Sequence, residues 1–211
     1  MIYIGGREVD SNRAIRWVEE YVTGEPGQFG YPSYDGYRTN DDPQSLCDAD
    51  FLAPVLLNVQ VKIKSFADLC DRRTDLEGAL RRVPLDLELS AADDAVLTSV
   101  GELFGVLDHE PKPRNVRGTT LAKVLHRKRP LLVPLYDEQV RRVYQDGDDA
   151  LLRPDPDRPW VEFMALLARQ MREDLNRAPD FWDKAAALSP SGGPSVSRLR
   201  ALDIVAWRLG S

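Results

Sequence analysis

Residues 160–175 read WVEFMALLARQMREDL, with Trp160, Phe163, Met164, Leu167, Met171 and Leu175 three or four positions apart. That spacing lays one apolar stripe along a helix and leaves polar side chains on the opposite face, so the segment predicts a helix packed on a core. Weaker stripes run outward from it. Downstream, a short helix is expected over 181–188, and Val196, Leu199, Leu202, Val205, Ala206 and Leu209 mark a last one. Upstream, Ala14, Ile15, Val18, Tyr21 and Val22 follow a cap at Asp10 or Ser11 and stop at Gly24 and Pro26. Phe51, Leu52, Val55, Leu56 and Val59 predict a helix from about residue 44, or from Asp50 if Pro54 is to sit in a first turn. One helix is expected over 65–82, ended by Pro84, and another behind a Ser90 cap with Val96, Val100, Leu103 and Leu107 inward. Short helices are expected over 119–127 and from Asp137, while Ile2-Tyr3-Ile4 before Gly5-Gly6 reads as an extended stretch and a turn. The expectation is an all-α fold: one compact domain over residues 1–211, of about eight helices, with a short extended N-terminal segment.

Composition narrows the functional classes. At 211 residues, 43% apolar and 29% charged, the chain can bury one sizeable core. No apolar run approaches the roughly 20 residues that span a bilayer, so no membrane partner is expected. The opening residues lack the basic and apolar regions of a secretion signal, and two cysteines, Cys47 and Cys70, suit free thiols, so the expected location is cytoplasmic. His109, His126 and the cysteines have no metal-ligand spacing, and no phosphate loop, dinucleotide fingerprint or Gly-x-Ser-x-Gly elbow occurs. Neither a metal nor a cofactor is therefore expected.

Two segments depart from the average. Residues 24–43, GEPGQFGYPSYDGYRTNDDP, form a long Gly/Pro/Tyr loop holding Phe29, Tyr31, Tyr34 and Tyr37. Two readings stand: rings folded into a small core of their own, or a binding loop. The interval 112–142 carries nine cations against Asp137 and Glu138, a net of +7, which leaves −13 on the rest of a chain whose total is −6. Such a patch is the footprint of a phosphate-binding face, with Lys123, Arg127, Lys128, Arg129, Arg114 and Arg117 as its candidate contacts. The competing reading is that cations at the end of the 119–127 helix answer its dipole.

Two carboxylates stand out. Asp137 follows an apolar stretch and heads a helix beside the cations, a position that serves equally as an N-cap and as an anion able to stabilise a developing sugar cation or orient water. Asp203 lies among apolar neighbours in the last helix, where a structural ion pair to an arginine such as Arg200 is expected.

The stretch KVLHRKRPLLVPLYDEQV, with SRLRALDIVAW further on, resembles a bacterial family of unknown function whose members carry K-x-L-x-x-KRP-x-x-x-P-x-x-D and LR-x-LD-x-x-x-W. The matching positions are Lys123, Lys128, Arg129, Pro130, Pro134, Asp137, Arg200, Asp203 and Trp207. A second, partial resemblance is to helix-hairpin-helix DNA glycosylases, through Gly118 and Ala122 and through Tyr136-Asp137-Glu138-Gln139-Val140-Arg141-Arg142-Val143. The L-P-G-x-G hairpin of that family is missing, and Thr120 stands where its lyase-competent members place a lysine. What this resemblance implies is a monofunctional, DNA-binding enzyme that hydrolyses a base–sugar bond. Asp137 would stabilise the sugar cation and position water, the basic residues would hold phosphates, and Tyr136, Tyr34 or Tyr37 would stack on the flipped base. The alternative is a non-catalytic helical module that binds nucleic acid or a partner protein through residues 112–142.

Overall fold

The computed structural model describes residues 1–25, 27–39, 42–146 and 152–211. Pro26, expected to help end the first helix, lies outside them. Strands β1 (Ile2–Ile4) and β2 (Arg7–Val9) pair antiparallel about the Gly5-Gly6 turn, Ile2 opposite Val9. Everything else regular is helical. Helix α1 spans Ser11–Thr23 and is capped by the Asp10 carboxylate, which accepts from the Arg13 amide at 2.8 Å. Then come α2 (Asp48–Leu52), α3 (Ile63–Asp71), α4 (Arg73–Leu80), α5 (Asp94–Glu102), α6 (Gly118–Lys128), α7 (Glu138–Gln145), α8 (Trp160–Arg177), α9 (Pro179–Ala186) and α10 (Arg198–Gly210). No helix among the described residues is long and apolar enough to cross a membrane.

There are thus ten α-helices among the described residues, where about eight were expected. One expected helix, over 65–82, is two. It breaks at Arg72, whose φ of −96° and ψ of 2° leave the helical region. The intervening residues, Asp71 to Asp75, are all polar, so no apolar anchor holds the chain straight between Cys70 and Leu76. The cap of α5 is Asp93, which accepts from the Val96 amide at 2.8 Å, and not Ser90. Ser90 lies one turn earlier, in a 3-10 turn over Leu89–Ala91 that buries Leu89. Pro54 opens a second 3-10 turn, Ala53–Leu57, directly after α2.

The long α8 lies along α5 and also touches α9, α10 and β1. Its start fixes the start of α6, because a Cβ on Gly118 would fall 2.2 Å from the Trp160 ring. Asp174, buried on α8, accepts from the Gly5 amide and from the Tyr144 hydroxyl, each at 2.8 Å, tying the hairpin and α7 to the core.

The basic run that closes α6 is used inside the molecule. His126 Nδ1 donates to the Val133 carbonyl at 2.7 Å, the tautomer being set by that acceptor. Lys128 Nζ lies 3.0 Å from the buried Asp50 carboxylate. Arg129 is fully buried, and its guanidinium donates to the carbonyls of Val83, Pro43, Lys128 and Leu80 at 2.6 to 3.0 Å. Those carbonyls terminate three separate segments, so Arg129 joins α4, the 24–43 loop and α6 end to end. Replacing it by methionine keeps the apolar stem and takes one donor from each of four carbonyls, of which only that of Leu80 keeps another, the Val83 amide at 3.2 Å, among the described residues. The Arg129→Met variant is expected to lose about 3 kcal/mol or more of stability, read as a lower urea midpoint.

Candidate active site

A cleft of about 410 Å³ opens between α1, α10 and the starts of α6 and α7. One of its walls is apolar: Phe29, Leu57, Val59, Leu135, Ile204 and Trp207 line it. Phe29 stacks on Tyr21 at 5.2 Å between centroids and meets the edge of Trp207 at 6.3 Å. The loop reaches this wall only because residue 30 is glycine. A Cβ there would come within 2.2 Å of the Leu57 side chain and 2.9 Å of the Tyr21 hydroxyl.

The facing wall is charged and buried. Arg200 Nε donates to Asp35 Oδ1 at 2.7 Å, Nη2 to the Tyr21 hydroxyl at 2.6 Å, and Nη1 to Asp203 Oδ2. Lys123, buried on α6, places Nζ 3.4 Å from Asp137 Oδ2. Asp137 Oδ1 caps α7, accepting from the amides of Gln139 and Val140 at 3.1 Å. Backbone dipoles and an ammonium thus converge on one carboxylate while Oδ2 still borders the cleft, an arrangement that suits an anion.

Two cations therefore face three carboxylates. Asp203 responds to that imbalance: burial, aided by the charge of Asp137, pushes its pKa up to about 6 against the pull of Arg200 and Lys123. Its Oδ1 has no protein partner among the described residues. Burial also pushes the Tyr21 phenol up to about 12, with Arg200 opposing. Burial works against the Arg200 charge itself, and Asp35, Tyr21 and Asp203 more than offset it, holding the guanidinium pKa well above its ordinary value.

The structure brings together Lys123, Asp137, Arg200, Asp203 and Trp207 out of the sequence motifs, and it sends other expected contacts elsewhere. Lys128 and Arg129 are buried struts and cannot meet a phosphate, because their donors are engaged by Asp50 and by main-chain carbonyls. Lys123 is 2% exposed and turned inward, onto Asp137. Arg127 donates to the Tyr34 carbonyl and lies over the rings of Tyr34 and Tyr37, away from this cleft. Arg114 and Arg117 are exposed on the segment before α6. None of the three tyrosines expected to stack on a base lines the cleft. Tyr136 packs edge-on against Trp160 and Phe163 in the core, and the buried Tyr34 donates its hydroxyl to the Lys123 carbonyl. Tyr37 accompanies Arg127. The aromatic lining is instead Tyr21, Phe29 and Trp207. Trp207 was discoverable, standing one helical turn beyond Asp203, and Phe29 belongs to the loop already marked as aromatic. Among the described residues no three His, Cys, Asp or Glu side chains are grouped to hold a metal ion.

The chain belongs to the family of unknown function DUF6308, whose match covers residues 14–210. No curated protein and no solved structure matches it significantly.

Arg200→Met strands Asp35 and Asp203 in the interior without a counter-charge and is expected to cost about 3–5 kcal/mol in urea unfolding. His126, behind the charged wall, has its pKa lowered to about 4 by burial, with Arg200 adding to the effect. A folded-state value below the unfolded one gives stability that is complete above about pH 6.5 and lost as pH falls towards 4. Across that window His126 accounts for about 3 kcal/mol. Subtracting the unfolding free energies of His126→Asn, which keeps a donor for Val133, from those of the parent isolates this slope.

Proposed function

We propose that this member of the DUF6308 family hydrolyses a base–sugar bond in the cleft, with Asp203 as proton donor and Asp137 as the carboxylate that faces the sugar. The observation that carries the reading is the unlike setting of two carboxylates in one cleft. Asp203, its pKa pushed up to about 6 by burial, keeps a proton in mildly acidic solution, while Asp137 is met by two amides and an ammonium. A planar base would lie along Phe29 and Trp207. As the bond from C1′ to the base nitrogen breaks, the Asp203 proton passes to that nitrogen. Asp137 stabilises the oxocarbenium-like sugar and takes a proton from the water that attacks it.

The charge pattern favours a nucleoside-sized substrate over a base flipped from a duplex. Of the six cations expected on phosphates, Lys123, Lys128 and Arg129 are buried and Arg127 lies outside the cleft. The second reading, a non-catalytic module binding nucleic acid or a partner protein, draws support from Lys112, Arg114 and Arg117. All three are exposed, and none has an ion-pair partner among the described residues.

Free nucleosides and DNA duplexes with a panel of modified bases, incubated with the protein and scored for free base, test the proposal. Release is expected from one class, falling as pH rises through about 6, where Asp203 loses its proton. Asp203→Asn should abolish that limb, and Asp137→Asn should lower release by about 10²-fold or more with the fold intact. An Asp137→Asn chain that fails to fold would show Asp137 to be only a cap. No base release, together with salt-dependent duplex binding lost in Arg114→Ala and Arg117→Ala, would establish the second reading.

A further inference from the structure

Behind the charged wall lies a second recess, of about 570 Å³, between the Tyr34–Arg38 segment, the end of α6 and residues 192–197. It is distinct from the cleft in its chemistry. Its lining is polar, and it gathers groups that the proposed hydrolysis does not use. Arg127 Nη1 is committed to the Tyr34 carbonyl at 2.8 Å, and its guanidinium is steadied 5.7 Å over the Tyr34 ring and 5.5 Å from Tyr37. Its Nε is sealed from solvent with no partner, so the outward edge of the guanidinium is Nη2. No carboxylate pairs with Arg127 or with the exposed Arg38 among the described residues. Asp35 also lines the recess but is spent on Arg200, so two positive charges border a polar hollow with no carboxylate of their own among the described residues, in a chain whose net charge is −6.

His126 adds a second, opposite requirement. It is 3% exposed, lines the recess, and spends its Nδ1 proton on the Val133 carbonyl. Nε2 then carries a lone pair, has no protein partner among the described residues, and is not one of the sealed orphan atoms. A buried acceptor without a donor is costly unless a ligand or water supplies one. An occupant of this recess must offer negative oxygens to Arg127 and Arg38 and, at the same time, an O–H or N–H to His126.

We propose that this recess binds a small phosphate monoester carrying free hydroxyl groups, its phosphate on Arg127 and Arg38 and a hydroxyl donated to His126 Nε2. A bare carboxylate has no donor at neutral pH, and an uncharged sugar leaves both arginines unanswered. A molecule that carries both kinds of group satisfies all three side chains, and a phosphate monoester sets a dianion on the arginine pair while its separate carbon-bound hydroxyl reaches His126. The lowered pKa of His126 keeps the imidazole neutral at pH 7 and so keeps Nε2 an acceptor. The recess volume falls within the usual range of about 300–1,000 Å³ for small-ligand sites.

Titration calorimetry with ribose 5-phosphate as the probe, and with inorganic phosphate and ribose as controls, tests the assignment. Ribose 5-phosphate is expected to bind more tightly than either control and to shift the His126 Nε2 resonance in nitrogen-15 NMR spectra. Arg38→Ala, an exposed change that spares the core, and Arg127→Gln should each weaken binding about tenfold or more. Asp137→Asn should leave it unchanged, which separates this site from the proposed hydrolytic one. The assignment is overturned by an absence of binding, or by equal affinity for inorganic phosphate. It is also overturned by arginine variants that bind like the parent, or by loss of binding in an Asp137→Asn chain that keeps the parent's circular dichroism and urea midpoint, which would place the probe in the cleft.

Discussion

A guanidinium sits in a protein interior only where acceptors answer its donors, and the placing of Arg200 among carboxylates and a phenol organises this molecule. Its donors reach Asp35 in the 24–43 loop, Tyr21 on α1 and Asp203 one turn further along α10. Taking such an ion out of water costs several kcal/mol, so the charge is tolerable only when all three partners are in position. The loop is held to the helices by that requirement more than by apolar packing of its own. Because the loop brings Phe29 and Gly30 with it, the aromatic wall of the cleft follows from the ion-pair wall opposite. The same wall, with Lys123 and Asp137, holds one negative charge more than it has cations, and burial, aided by the charge of Asp137, pushes the Asp203 pKa up to about 6.

The helical architecture was legible because apolar stripes such as Leu167–Met171–Leu175 record which face meets the core. The division at Arg72 was less so, since a polar run of five residues is as good a helix surface as it is a corner. Asp93 lost to Ser90 in the reading for a related reason: both are good caps, and only the burial of Leu89 in its own turn decides between them. Within the site, Lys123, Asp137, Arg200 and Asp203 carry a visible pattern of residue types. Asp35 does not, because it meets Arg200 across 165 positions of sequence, and nothing local marks an aspartate in a loop as the mate of a buried arginine.

Counting charge by position was the least reliable guide. A net of +7 over residues 112–142 looks like a surface, yet Lys123 and Lys128 point inward to aspartates and Arg129 to main-chain carbonyls. An arginine following a helix end is as well suited to stranded main-chain carbonyls as to phosphates, since a planar fork of donors serves both. The cations that remain are split among the segment before α6, Arg127 at the recess beside Tyr37, and Arg141 and Arg142 on α7 paired with Glu138, so the linear cluster becomes three separate, smaller features.

The long reach of the Arg200 contacts has a consequence for biosynthesis. A chain emerging from the ribosome exposes Tyr21 and Asp35 well before it can supply the arginine that both await, 179 and 165 residues later. Until α10 docks, Asp35 has no cation to pair with and the cleft lacks Arg200, Asp203, Ile204 and Trp207. Nascent or prematurely ended chains would therefore carry most of the helices and only part of each wall of the cleft. The charged wall and the aromatic wall of the cleft are both completed in the same late step.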